Sequence, residues 1–377
     1  MLSVNNLTEV KLARLTSQIE QALAQLNTKP AAGVTVAVAL ADGTILHYAH
    51  GMAGTKAQQV MTSNALMPTG SIGKSYVAAL VLTMVADGLL ELDAPIAPWF
   101  VNSNWFYRLP NYNIITLRHL LNHSSGLIDH VFDTGTKFLK YLKNKFSTNQ
   151  ATLPIYPLDL VQFALDQEPL FSPGQGFHYS DTGYILIGII IEQASSVSYF
   201  QQLQQRILMP HQLNDTLAFD RCTIPGLVQG FPQQSQRLFA MPEQMLVENS
   251  LAIHPSLEWT GGGLVSTTAD LVRWAKLLFE AKVIAPHLLN EMLTSIAVPT
   301  QAETNELSYG YGLGINISHS KYGNRYHHDG FFPGYKSILT YYPAAKVALA
   351  MQVNTDGCNI SPWLDKITTL VFNNLNL

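Results

Sequence analysis

The run Thr69-Gly70-Ser71-Ile72-Gly73-Lys74 puts a serine and a lysine three residues apart, ahead of a long apolar stretch. A serine hydroxyl is a poor nucleophile near neutral pH and needs a base within hydrogen-bond reach. On a helix that opens at Ser71, residues three apart share a face, so the Lys74 amine points back at the hydroxyl. A neutral lysine base requires its pKa to fall about 3 units below roughly 10.4, by burial or by a second cation. The Ser71 N–H, at the start of that helix, has no intrahelical partner and is free to face a developing oxyanion. The spacing alone is a weak signal, because a helix-capping serine followed by a surface lysine reads the same way. Ser318-His319-Ser320-Lys321 repeats it between two strand-like runs and beside Gly323, where a polar hairpin loop is expected.

Two further segments bear on the choice. Tyr179 lies in Phe177-His178-Tyr179-Ser180-Asp181, which enters a second apolar helix. Its hydroxyl, if brought beside a lysine, can relay a proton from Ser71 to a leaving group, although a packed core tyrosine would look no different. The second segment is His327-His328-Asp329-Gly330-Phe331-Phe332-Pro333-Gly334. On a strand His328 and Gly330 share one face while Asp329 takes the other. Gly330 would let a substrate backbone approach, and the Phe331 N–H is the candidate second oxyanion donor.

The elements that must position these residues follow from periodicity. Residues 7–26 carry apolar side chains at helical spacing, at Leu12, Leu15, Ile19, Leu23 and Leu26. Residues 33–40 and 44–49, joined by Ala41-Asp42-Gly43, read as a hairpin. Residues 71–90 read as a strong helix ending near Asp87-Gly88, and residues 270–281 as another. Strands are expected at 309–317, 325–329, 335–342 and 346–353, with Pro333-Gly334 as a type II turn, and a closing helix at 363–375. Strands near both ends with a helix-rich block between them predict an α/β (α+β) fold: one antiparallel sheet built from both chain termini, flanked by helices, with an inserted all-α subdomain. The expected division is 1–92 with 255–377 for the sheet domain and 93–254 for the helical one.

Ser71-x-x-Lys74, Tyr179-Ser180-Asp181 and His328-Asp329-Gly330, in that order, resemble the three motifs of the serine β-lactamase and penicillin-binding superfamily. The similarity is greatest to its class C-like group of D-alanyl-D-alanine carboxypeptidases, D-aminopeptidases and related esterases. Residues 115–127 (ITLRHLLNHSSGL) resemble that group's ITIRHLLTHTSGL run, and Gly261-Gly262-Gly263 with Asp270 resembles another of its segments. The resemblance covers roughly residues 30–355. It implies an acyl-enzyme on Ser71, Lys74 and Tyr179 as base and proton relay, and His328 in the place of the third-motif lysine. It also implies an oxyanion hole from the Ser71 and Phe331 N–H groups, Asp181 and Gly330 at the substrate, a structural His123, and no cofactor.

Two departures bear on substrate. The third motif begins with histidine rather than the lysine common in β-lactamases, which favours peptidase or esterase chemistry. The second ends in Asp181, where the pattern often has asparagine. An ionised carboxylate accepts from N–H or ammonium groups and cannot donate to a carbonyl. It would also hold Lys74 charged, leaving Tyr179 as the base. The expectation is therefore a D-stereospecific peptidase or D-alanyl-D-alanine carboxypeptidase-like enzyme on small peptides, with a preference for a free amine. A short-chain esterase or a β-lactamase of the same fold is the alternative. A non-catalytic penicillin-binding scaffold would have no need of Lys74 and Tyr179 together. An α/β-hydrolase is disfavoured because Thr69 stands where Gly-x-Ser-x-Gly needs its first glycine.

Composition agrees with a small-molecule peptide, amide or ester substrate. Of 377 residues 47% are hydrophobic and 13% charged, and the net charge of −4 gives no electrostatic footprint for nucleic acid. The apolar runs are shorter than the roughly 20 residues of a membrane span. His119-x-x-x-His123 lacks the glutamate of a zinc-protease helix, so no metal is expected. Cys222 and Cys358 fit either one disulfide or two free thiols. No signal-like apolar stretch occupies the first 25 residues, which leaves a periplasmic or secreted protein without its leader, or a cytoplasmic one.

Overall fold

The computed structural model describes residues 9–26, 32–55, 59–299 and 309–375. Eight antiparallel strands form one sheet: β1 (Val34–Ala39), β2 (Ile45–His50), β3 (Ile296–Ala297), β4 (Tyr309–Tyr311), β5 (Asn316–Ser320), β6 (Gly323–Phe332), β7 (Tyr335–Tyr342) and β8 (Val347–Val353). Their spatial order is β2-β1-β8-β7-β6-β5-β4-β3. The early hairpin is joined to the late strands by β1 lying against β8, Val34 opposite Val353. The longer helices are α1 (Glu9–Ala24), α2 (Gly73–Ala86), α3 (Lys137–Ser147), α4 (Asp181–Ser195), α5 (Thr268–Phe279) and α6 (Ser361–Leu375). The expected start of the first helix, residues 7 and 8, lies outside the described residues.

Alternation in the strands decides which helix packs where. In β1 Val34, Val36 and Val38 face one way and join Leu15, Ile19 and Leu23 of α1 with Leu364, Ile367 and Val371 of α6. The intervening Ala37 and Ala39, with Ala348 and Ala350 of β8, face the other core, which holds α2 and α5. Small side chains on that face let α5 lie close to the sheet. Trp274 of α5 stacks on Tyr76 of α2, 3.9 Å between ring centroids, and donates its indole N–H to Ser75 Oγ at 2.9 Å. The helix that carries Lys74 is thus fastened to the helix that lies on the sheet.

α2 is buried almost all round, from Gly73 to Leu82, which is what an apolar helix without a polar stripe requires. It ends where Asp87-Gly88 was expected to stop it, with Gly88 at φ 71°. The β6–β7 turn closes on Pro333-Gly334, and Gly334 at φ 83° has the positive φ that the third position of a type II turn demands. The stretch between the sheet's two contributions is less helical than its periodicity suggests. Residues 93–136 contain one five-residue helix, Leu117–Leu121, among turns and short 3₁₀ segments. Among the described residues no single helix is long and apolar enough to cross a membrane. Cys222 and Cys358 are both free thiols.

Candidate active site

Ser71 sits in a 3₁₀ turn, Gly70–Ile72, that runs straight into α2. Lys74, in the first turn of that helix, is fully buried. Its ammonium has three oxygen neighbours for three hydrogens. It donates to Ser71 Oγ at 3.0 Å and to the Gly261 carbonyl, and it forms an ion pair with Asp181 Oδ1 at 2.5 Å. The rings of Tyr179 and Tyr184 flank it, with centroids at 5.0 and 5.1 Å. Burial by itself would lower the Lys74 pKa. The negative charge of Asp181, with Tyr179 beside it, outweighs that effect and holds the amine above its ordinary value. The neutral-lysine base considered from sequence is therefore not the resting state.

Asp181 is the first residue of α4, where a carboxylate meets the positive end of the helix. Its own N–H donates to Asp129 Oδ2 at 2.7 Å, while Asp129 Oδ1 accepts from the N–H groups of Val131 and Phe132. Burial and the charge of Asp181 raise the pKa of Asp129. One carboxylate thus ties the loop after residue 128 to the start of α4.

Tyr179 lies one turn of chain before α4, and its position is set by His123. The His123 carbonyl accepts from the His178 N–H at 2.9 Å, and its Nδ1 accepts from the Ser180 N–H at 3.1 Å. Between these two bonds the His123 ring lies over the Tyr179 ring, 4.1 Å between centroids. His123 has φ 62°, a left-handed conformation uncommon for histidine, and burial keeps its imidazole neutral. The structural part expected of His123 is thus a specific one: it brackets Tyr179 on three sides. The Tyr179 hydroxyl is buried, and burial raises its pKa above the ordinary value, partly offset by Lys74 and Ser71.

The third segment enters on β6. β5 ends its ladder with Asn316 opposite His327, so residues 328–332 outrun it. In the two-residue hairpin Phe332 and Tyr335 form the closing pair, which makes the N–H of Phe331 point away from β7. On that side lies the Gly70–Ile72 turn. A Cβ on Gly70, which has φ 50°, would stand 2.3 Å from the Phe331 nitrogen. The N–H of Phe331 is thereby brought beside Ser71. The space a side chain on Gly330 would fill is occupied by the Thr69 carbonyl and the Ser337 hydroxyl, at 1.9 and 2.1 Å from that Cβ position. The missing side chain lets β6 lie against the Gly70–Ile72 turn, and Gly330 also borders the cavity.

His328 borders the cavity with both ring nitrogens engaged. Its Nδ1 lies 2.7 Å from the Asp329 carbonyl, which can only accept, so Nδ1 carries the hydrogen. Nε2 is then an acceptor, and Tyr311 donates its hydroxyl to it at 2.8 Å. Burial, with the charge of Lys74, lowers the His328 pKa to about 4. A neutral ring with both nitrogens engaged orients Tyr311 and offers Ser71 no proton acceptor.

Ser71, Tyr179, Asp181, His328, Gly330 and Phe331 line one cavity of about 500 Å³, with Lys74 beneath it. Those expected site residues come together. Three others were not anticipated: the Gly261 carbonyl, Tyr311, and Glu258, which lines the same cavity. Burial, then the charge of Asp181, raises the Glu258 carboxyl to about 8. The nearest signals were the unusual Tyr309-Gly310-Tyr311-Gly312 run and the acid three residues before the glycine triplet.

With this geometry in hand, the profile of the Beta-lactamase family spans residues 19–359. The chain belongs to that family. Within it, the sequence is similar to "Penicillin-binding protein 4*" of Bacillus subtilis, 26% identical over 318 residues, covering 82% of this chain and 65% of that protein. It is also similar to "Esterase EstB" of Burkholderia gladioli, 29% identical over 205 residues, covering 54% of this chain and 50% of that one. The chain thus spans less than two thirds of either relative. Its fold is shared by the D-amino acid amidase of Ochrobactrum anthropi SV3, with a TM-score of 0.78, 24% identity, and coverage of 96% and 99%.

Proposed function

We propose that this protein is a serine hydrolase that works through an acyl-enzyme on Ser71, acting on small peptides or amides as a D-stereospecific peptidase or carboxypeptidase. The observation that carries the reading is the buried Lys74 ammonium 3.0 Å from Ser71 Oγ, at the wall of a cavity that also holds Tyr179. Placing a lysine at full burial is costly without function-grade compensation, and a binding scaffold gains nothing from it.

In this reading Ser71 Oγ attacks the substrate carbonyl carbon, and the carbonyl oxygen becomes an oxyanion held by the Ser71 and Phe331 N–H groups. The hydroxyl proton passes by way of Tyr179 to the leaving nitrogen as the C–N bond breaks. Water then attacks the ester carbonyl; its proton passes by way of Tyr179 to Ser71 Oγ as the C–Oγ bond breaks, and the carboxylic acid is released. Lys74 remains charged, oriented by its three oxygen contacts, and favours the phenolate form of Tyr179 when that forms. Asp181 is the substrate-side group that also fixes the charge of Lys74.

A second reading, a short-chain esterase, is favoured by the similarity to "Esterase EstB". Both readings use the same acylation, and one experiment separates them. Incubation with a fluorophosphonate and with a labelled penicillin, followed by peptide mapping, is expected to place both adducts on Ser71. Labelling by the first alone favours the esterase, and labelling by neither rejects the hydrolase. Rates on D-Ala-D-Ala peptides, D-amino acid amides, nitrocefin and p-nitrophenyl esters then rank the substrate classes.

A further inference from the structure

The cavity has two chemically distinct ends. At one, Lys336, Asp329, Asn359 and Ser361 give it a polar wall. At the other, it is lined by Phe138 and Leu142 of α3, Ile185 of α4, Phe239 at the end of the short helix Gln234–Phe239, Met241 just beyond it, and Leu257. Each of these six is under 9% exposed, yet each borders the open space beside Ser71. Their packing is aromatic: Phe138 meets Phe239 edge to face with centroids 6.3 Å apart, and Phe132, 62% exposed, meets Phe239 at 6.0 Å from the rim.

The ionisable groups at this end carry no free charge to the cavity. His130 is neutral, because burial lowers its pKa to about 4, and its Nδ1 lies 3.2 Å from Thr182 Oγ1. Burial and the charge of Asp181 push the Glu258 carboxyl up to about 8, toward its neutral form. The charge of Asp181 is matched by Lys74. An apolar wall continuous with a nucleophile holds whatever is attached to the carbonyl that the nucleophile attacks. A group the size of benzene needs about 150 Å³ in such surroundings, well within the space available.

We propose that this chamber is the pocket for the acyl part of the substrate, and that it takes a large uncharged apolar group, aromatic or a chain of about six carbons. This rests on the acyl-enzyme reading and specifies its substrate class: amides or esters whose acyl side is bulky and apolar, in place of short acyl groups.

The test holds the leaving group constant and varies the acyl chain. With p-nitrophenyl acetate, butyrate, hexanoate and phenylacetate, kcat/KM should rise about three- to fourfold per methylene up to hexanoate, the effect of burying one methylene in an apolar site. Labelling of Ser71 by alkyl fluorophosphonates of matching length is a readout independent of turnover and should accelerate along the same series. Leu142→Trp, which fills the chamber, should bring the hexanoate-to-acetate ratio toward one. Leu142→Ala should move the optimum to a longer chain, and serves if the tryptophan variant does not fold. A flat or falling series with Ser71-dependent turnover intact would overturn the chamber and leave the hydrolase standing. No labelling of Ser71 by any member would overturn both.

Discussion

At residues 71–74 the chain is winding from a 3₁₀ turn into a buried helix; at residues 318–321 it is leaving a strand to reverse direction in the β5–β6 hairpin. The two stretches have the same Ser-x-x-Lys spelling. In the first, the helical turn returns Lys74 to 3.0 Å from Ser71 Oγ. In the second, Ser318 Oγ is occupied by Arg325 Nε at 2.8 Å and His327 Nε2 at 3.1 Å, while Lys321 lies exposed over the ring of Tyr322 and reaches Thr369. Even the neighbouring histidines divide between them: His327 and His328 are consecutive on a strand, so one faces Ser318 and the other the cavity. Spacing becomes chemistry only when the backbone has a period that brings the two side chains back to the same place.

The comparison is broken most severely at the serines. Ser71→Ala should lower kcat/KM by about 10³-fold or more with an unchanged melting temperature, whereas Ser318→Ala should leave rates within about twofold. Assays of both variants on one ester and one amide decide it. The lysines come next. Lys74→Met should reduce kcat by roughly 10²- to 10³-fold and also destabilise the fold by about 3–5 kcal/mol, because Asp181 loses its buried partner. Lys321→Met should do neither, by kinetics and by chemical denaturation.

A milder change tests the electrostatics of the first tetrad. With Lys74 and Tyr179 both held above their ordinary pKa values, a proton must leave the pair before Ser71 can be activated, so kcat/KM should rise with pH across the neutral range. Asp181→Asn removes a negative charge that raises the pKa of Tyr179 as well as that of Lys74. The rising limb should therefore move to lower pH, by about one unit or more. A pH–rate profile with an unmoved limb would reject this assignment. The smallest expected effect is at the clamp on Tyr179. His123→Phe keeps a ring over the tyrosine and loses the acceptor for the Ser180 N–H, so kcat should fall about tenfold while KM holds. Steady-state kinetics with the short-chain ester reads this split.

Much of the site was legible because its groups announce themselves locally. Ser71, Lys74, Tyr179 and Asp181 lie at helix starts, and the strand 335–342 was read at its observed limits. What escaped depends on residues far apart in the chain. The acceptor that completes the contacts of Lys74 is a backbone carbonyl 187 residues away, and a carbonyl has no sequence signature. The partner of His328, Tyr311, comes from another strand. Nothing local to Gly330 reveals Thr69 above it. The apolar chamber draws on residues near 130–142, 185, 239–241 and 257, which no single periodicity connects.

The pairing of β1 with β8 sets the order of events in the life of the molecule. Residues 34 and 353 must meet before the sheet is continuous, and such remote pairings form slowly. During synthesis β1 waits with an open edge, a template for unwanted pairing, until β8 arrives. The same arrangement withholds Phe331 and its N–H from Ser71 until β6 and β7 have been made. Fragments released before β6 would carry Ser71, Lys74 and Tyr179 without the second oxyanion donor, so the topology couples full reactivity to closure of the sheet.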